Sequence, residues 1–230
     1  WDPPRSDYWT LFYFFHHLDA MPGSIKWLHI INYDPVNQVN FYPLTHLIIY
    51  AEYLIFGSNP FYFHALHFSL YCASLVLIYK LARKFCQDRQ LTLMFITVFA
   101  FLFSHFDIII WCYHIHILFA FNLLLAGFLL YIKFLKTGRA ALLILVVVSF
   151  LSSMLCYLVF ILWPLAIINL SYLNNLGTKK ISEARKKISY LSVLGTTYFL
   201  YIMAFFATRA IKTYTHSIIS LNSIFSIREY

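Results

Sequence analysis

Long apolar runs broken by short polar gaps dominate this chain. A helix needs about 20 mostly apolar residues to cross a ~30 Å hydrocarbon core. Four runs approach or exceed that length: Tyr62–Tyr79, Leu91–Ile110, Ile115–Ile132 and Leu191–Ile211. A fifth, Ala140–Tyr172, is too long for one crossing and short for two. Ahead of them, Tyr8–Phe15 is aromatic but too short to span. Leu44–Phe56 carries apolar residues around most of a helix, interrupted by Thr45, His46 and Glu52, and suits a helix lying at the membrane interface. Pro22-Gly23, Asp34-Pro35 and Asn59-Pro60 mark turns between these segments.

The charges orient the runs. Lys80, Arg83, Lys84 and Arg89 form one basic cluster, Lys133, Lys136 and Arg139 a second, and Lys179, Lys180, Arg185, Lys186 and Lys187 a third. All lie in polar gaps, the bias that marks cytoplasmic loops. The second and third clusters must share a side, so the segment between them crosses an even number of times. It is therefore expected to form two short helices, Ala140–Leu155 and Tyr157–Tyr172, turning near Ser152-Ser153, with Pro164 kinking the second. Each would be about 24 Å long, enough for a thinned or partly re-entrant passage.

The resulting expectation is one all-α, polytopic transmembrane bundle with about six crossings. Residues 1–61 form an extracytoplasmic loop of interfacial helices, 62–211 the membrane domain, and 212–230 an extracytoplasmic tail. The protein would be integral and multi-pass, in a plasma, inner or endoplasmic reticulum membrane. The start at Trp1 rather than Met suggests a segment of a longer protein or a processed product. No basic n-region of a signal peptide precedes the first apolar run.

Composition agrees: 61% of the 230 residues are hydrophobic, 20% aromatic and only 11% charged, with a mean hydropathy of +0.72. Soluble domains carry about 25% charged residues. The net charge of +8 is accounted for by the loop clusters and needs no nucleic-acid partner. Cys72, Cys86, Cys112 and Cys156 form no CxxC pair, so neither a disulfide framework nor a zinc site follows. In this threading all ten histidines fall at or near the outer face. So do Asp2, Asp7, Asp19, Asp34, Glu52, Asp107 and Glu229. Acids contribute little to topology, so their gathering there points to chemistry on that side.

Four motifs in series resemble the GT-C glycosyltransferases, in the branch related to protein O-mannosyltransferases. Phe41-Tyr42-Pro43-Leu44-Thr45-His46-Leu47 is similar to that branch's F-R-P-L-T-x-L. Phe56-Gly57-Ser58-Asn59-Pro60-Phe61-Tyr62-Phe63-His64 resembles its F-G-x-N-P-x-x-x-H. Ser104-His105-Phe106-Asp107, four residues before Trp111, is similar to H-P-x-H-x-E-x-x-x-W, and Ser6-Asp7-Tyr8-Trp9 to D-D-x-W. The likeness covers roughly residues 6–170. Tyr42 replaces the branch's Arg, Ser6 the first of its two acids, and Cys156-Tyr157-Leu158 its S-K-E.

The resemblance implies sugar transfer from a polyprenyl-phosphate carrier to a protein or glycan acceptor. Asp7 would be the general base, the alternative being a solvated loop acid before a Trp anchor. Asp107, bracketed by His105, Trp111, His114 and His116, would orient the acceptor or pair with Arg5 or Lys26; otherwise it ends a helix at the headgroups. His64, one turn from His67, and His105 would contact donor or loop carboxylates, against packing at the interface. Arg209 and Lys212 would hold the phosphate leaving group, since Arg matches phosphate geometry; snorkelling to lipid headgroups explains them equally. Glu52 would approach Asp7 or face water. No cofactor follows, although His114-x-His116 and His105-x-Asp107 supply ligand types for a divalent metal if a non-helical turn closes each pair. Two other classes remain in view. A non-catalytic GT-C-like subunit is favoured by the altered motifs. A transporter or flippase would need polar residues at mid-bilayer, where only Asn122 and the Ser152-Ser153 break offer a foothold.

Overall fold

The computed structural model describes residues 6–19, 23, 26–27, 30, 42–57, 59–101, 114–157, 162 and 192–207, with the backbone alone at 6–12. Among them are seven helices and no strand: α1 (Ser6–Asp19), α2 (Pro43–Phe56), α3 (Pro60–Phe85), α4 (Arg89–Ala100), α5 (Ile115–Thr137), α6 (Ala140–Cys156) and α7 (Ser192–Ala207). The described residues are all-α, as the long apolar runs predict. Two helices, α3 and α5, are long and apolar enough to cross a membrane.

The helix ends follow local chemistry. Pro43 and Pro60 open α2 and α3, where a missing N–H costs nothing and a fixed φ fits the first turn. The Asn59 side chain caps α3 by accepting from Phe61 N–H at 3.1 Å. Asp88 caps α4, accepting from Gln90 and Leu91 N–H at 2.8 and 3.2 Å. Gly138, at φ 69°, ends α5 in the left-handed conformation, and its N–H donates to Phe134 O at 2.8 Å.

Helix α6 runs unbroken through Ser152 and Ser153 and stops at Cys156, where Tyr157 turns extended. The turn expected at the serine pair thus falls later. Ser153 is fully buried, and its hydroxyl donates to Ala120 O on α5 at 2.8 Å, so it joins helices instead of breaking one. Helix α4 covers the first part of the Leu91–Ile110 run; residues 102–110 lie outside the described set, as does the second helix expected over 157–172, Tyr157 and Leu162 apart.

Two cores hold the helices. In the larger, α5 and α6 form an antiparallel hairpin that also receives Val193 and Leu194 of α7. Gly127 permits the close approach: a Cβ there would lie 2.6 Å from Phe150 Cε1 and 3.1 Å from Ser149 Cβ. Small residues at such contacts let helices meet where water does not drive association. The smaller core joins Phe15 and Leu18 of α1 to Ile49 and Tyr50 of α2, Phe63 of α3 and Ile115 of α5. Side-chain to backbone bonds fasten the rest. Asn122 Nδ2 on α5 donates to Leu70 O on α3 at 3.0 Å, and Tyr71 Oη on α3 to Ala100 O on α4 at 2.8 Å.

Helices α3 and α5 run in the same direction, because Asn122 meets Leu70 and, further along both, Phe128 meets Phe85 with ring centroids 6.2 Å apart. The basic α3–α4 and α5–α6 turns therefore lie at one end. Helix α1 and the beginnings of α3 and α5 lie at the other.

Candidate functional site

Polar and titratable side chains gather at the end away from the basic turns, in two clusters. In the first, α1 is closed onto the following loop. Lys26 Nζ donates to Asp19 Oδ1 at 2.6 Å and stands 5.0 Å from the ring centroid of Tyr50. Trp27 meets Tyr50 edge-on at 5.9 Å, and Phe15 packs on Tyr50 and Tyr53 at 5.1 and 5.6 Å. The bond to Asp19, then the Tyr50 hydroxyl, hold the Lys26 amine above its ordinary pKa. Burial, then the Asp19 carboxylate, push the Tyr53 phenol up. This clasp ties the end of α1 to α2.

The second cluster lies where α2 and α5 begin and α6 ends. Tyr42 stacks on His116 at 6.4 Å and leans on Tyr157 at 5.7 Å, while His116 meets Tyr157 edge-on at 5.3 Å. One turn along α2, Thr45 Oγ1 donates to Cys156 O at 2.5 Å. Burial, and after it the neighbouring Tyr157, raise the Tyr42 phenol. A neutral, half-buried phenol in an aromatic contact offers a hydroxyl and a ring face. It offers no cation.

Several sequence expectations change here. Lys26, proposed to pair with Asp107, is bound to Asp19. Glu52 does not face water: it is 3% exposed in α2. His64 and His67 do not form an equivalent pair, since His67 is fully buried and His64 half-exposed. Asn122 spends its amide on Leu70 O and Leu118 O, a helix-joining role rather than a transport site. His114 and His116 stand with ring centroids 6.3 Å apart. Among the described residues no three His, Cys, Asp or Glu side chains group as metal ligands. Asp7 lies in α1, described by its backbone; Asp107, His105, Arg209 and Lys212 lie outside the described residues.

The residues missed in the sequence are Tyr42, Tyr157, Asp19 and Tyr50. Tyr42 had a signal, standing in a motif position where the resembled branch keeps Arg. The contact of Tyr157 with Tyr42 and His116 has no signal in spacing, being made across 115 residues of chain to the first and 41 to the second.

No family model, no curated protein and no solved structure matches this chain.

Proposed function

We propose that this is a multi-pass membrane glycosyltransferase of GT-C type, moving a sugar from a polyprenyl-phosphate carrier to a protein or glycan acceptor at the extracytoplasmic or lumenal face. One observation carries the reading. Helix α1, which bears Asp7, is docked on the membrane-length helices through Phe15 and Leu18, both 0% exposed, at the end opposite the basic turns. Asp7 stands eleven residues before Leu18, within about 20° of it around the helix. Its register is therefore that of the docked face.

In this reading Asp7 takes the proton of the acceptor hydroxyl as its oxygen attacks the anomeric carbon. The bond from that carbon to the phosphate oxygen breaks, and the polyprenyl phosphate departs with the electron pair. Arg209 or Lys212 stabilises the departing phosphate, Asp107 and His105 orient the acceptor, and His64 contacts the donor phosphate. General-base help of this kind contributes about 10²–10⁴-fold in rate.

The second reading, a non-catalytic subunit of the same architecture, is favoured by Tyr42. Where the resembled branch keeps a cation, this chain has a phenol packed on His116 and Tyr157.

Reconstituted protein supplied with polyprenyl-phosphate mannose and a hydroxyl acceptor separates the two. Transfer by the wild type, cut at least about 100-fold in Asp7→Asn, is expected for the enzyme. Equal rates in both proteins contradict the mechanism. Absence of transfer together with a stoichiometric co-purifying partner favours the subunit.

A further inference from the structure

Among the described residues, the end of the molecule away from the clasp is dominated by positive charge. Helices α3 and α5 end there and α4 and α6 begin there. Lys80, Lys84, Arg89, Lys133, Lys136 and Arg139 are all exposed on those turns. Their neighbour Arg83 is occupied, donating to the carbonyls of Cys86 and Gln87. Asp88, the described acid at this end, has turned its carboxylate onto the first N–H groups of α4, where the helix dipole and two hydrogen bonds satisfy it. The ion pair among the described residues, Lys26–Asp19, is at the opposite end. Among the described residues, six bases thus point outward with no carboxylate paired to them.

The surroundings of these bases are apolar. Phe85 is 45% exposed beside Lys84, Leu91 57% beside Arg89, and Ile144 67% one turn beyond Arg139. A ligand matching both features carries a negative head and a hydrocarbon body. Nucleic acid and acidic peptides match the bases and leave the apolar side chains uncovered. We propose that this end binds anionic phospholipids, with headgroup phosphates held by the bases of the two turns and acyl chains lying along Phe85, Leu91 and Ile144. The site is distinct from the sugar-transfer face and does not need that chemistry. Each Lys or Arg close to an anionic bilayer surface contributes about fivefold in affinity.

The test uses the full chain in vesicles of phosphatidylcholine mixed with phosphatidylglycerol in both leaflets, extracted gently, with the retained lipids quantified. Because both leaflets carry the anionic lipid, the result is independent of orientation, and a failed transfer assay leaves it standing. Wild type is expected to retain phosphatidylglycerol several-fold above its bulk proportion, with the excess falling in high salt. The triple variant K133Q/K136Q/R139Q and, separately, K84Q/R89Q should each lose most of that excess. K179Q/K180Q/K186Q, which removes three charges from the third basic cluster, should keep it. Equal losses in all three variants, or no enrichment in the wild type, overturn the site. Inorganic phosphate added in place of the anionic lipid should leave phosphatidylcholine retention unchanged.

Discussion

The two membrane-length helices use their hydrophobicity in opposite ways. Helix α5 is the more apolar, and 56% of its most apolar stretch is buried, against 28% for α3. Yet the buried positions of α3, Phe63, His67, Tyr71, Ser74 and Ile78, are a stripe at spacings of three and four whose middle three side chains carry polar groups. Its outer face presents Phe61, Tyr62, Phe68 and Val76. In water such a helix would be inside out. In lipid it makes sense: the solvent is as apolar as leucine, so burial of hydrocarbon drives nothing and polar groups turn inward to find partners. Tyr71 bonds Ala100 O on α4 accordingly, while Ser74 bonds Leu70 O, one turn back in its own helix. Helix α5 instead relies on close packing, with Gly127 under Phe150.

The contrast breaks most sharply at Val76, 52% exposed on α3. Val76→Asp is expected to cost about 3 kcal/mol of insertion free energy, the penalty for a carboxylate near the centre of a spanning helix. A glycosylation-reporter assay of insertion reads it, and an unchanged inserted fraction would mean that water bathes this face. Next comes Gly127→Leu on α5, where overpacking against Phe150 should destabilise by about 1–3 kcal/mol. Val76→Leu, with open space on the exposed side of α3, should leave the same unfolding curve nearly unmoved.

Smaller effects sharpen the picture. Ser153→Ala removes the bond to Ala120 O and should cost about 0.6 kcal/mol, an ordinary value for one interhelical hydrogen bond in a membrane. Steric trapping or detergent unfolding measures it. Lys26→Met opens the clasp to Asp19 at a cost below about 1 kcal/mol, because the carboxylate is well exposed and solvent screens the pair. Its pH dependence has a definite sign. The folded chain holds the Lys26 proton more firmly than the unfolded chain, so the contribution is whole below about 10.5 and is lost as pH rises through the higher folded value. The stability difference between wild type and Lys26→Met should therefore be flat from neutral pH to mildly alkaline and shrink only above that.

Much of the fold was legible because its punctuation is local. Asn59-Pro60 marks the turn before α3; Asp88 at the start of α4 and Gly138 at the end of α5 act on their own backbone neighbours in the same local way, although the sequence reading marks neither as a cap. The bounds of α6, Ala140–Cys156 against an expected Ala140–Leu155, were legible too, but the role of Ser152-Ser153 was not. A serine pair looks like a break until a distant carbonyl, Ala120 O, is offered to it. The sequence leaves Glu52 open between approaching Asp7 and facing water, and only the packing of α2 shows it covered. At the candidate site, motif order pointed to α1, the start of α2 and His64. The mutual contact of Tyr42, His116 and Tyr157 depends on three segments far apart in the chain and leaves no periodic trace.

Placement of α1 and the basic turns on opposite membrane faces underlies both proposals. With the four native cysteines replaced by alanine, single cysteines at Tyr13 and at Lys136, both exposed, can be offered a membrane-impermeant maleimide in sealed, uniformly oriented vesicles. One position should label at once and the other only after the vesicles are opened with detergent. Labelling of both positions from the same side would contradict the account.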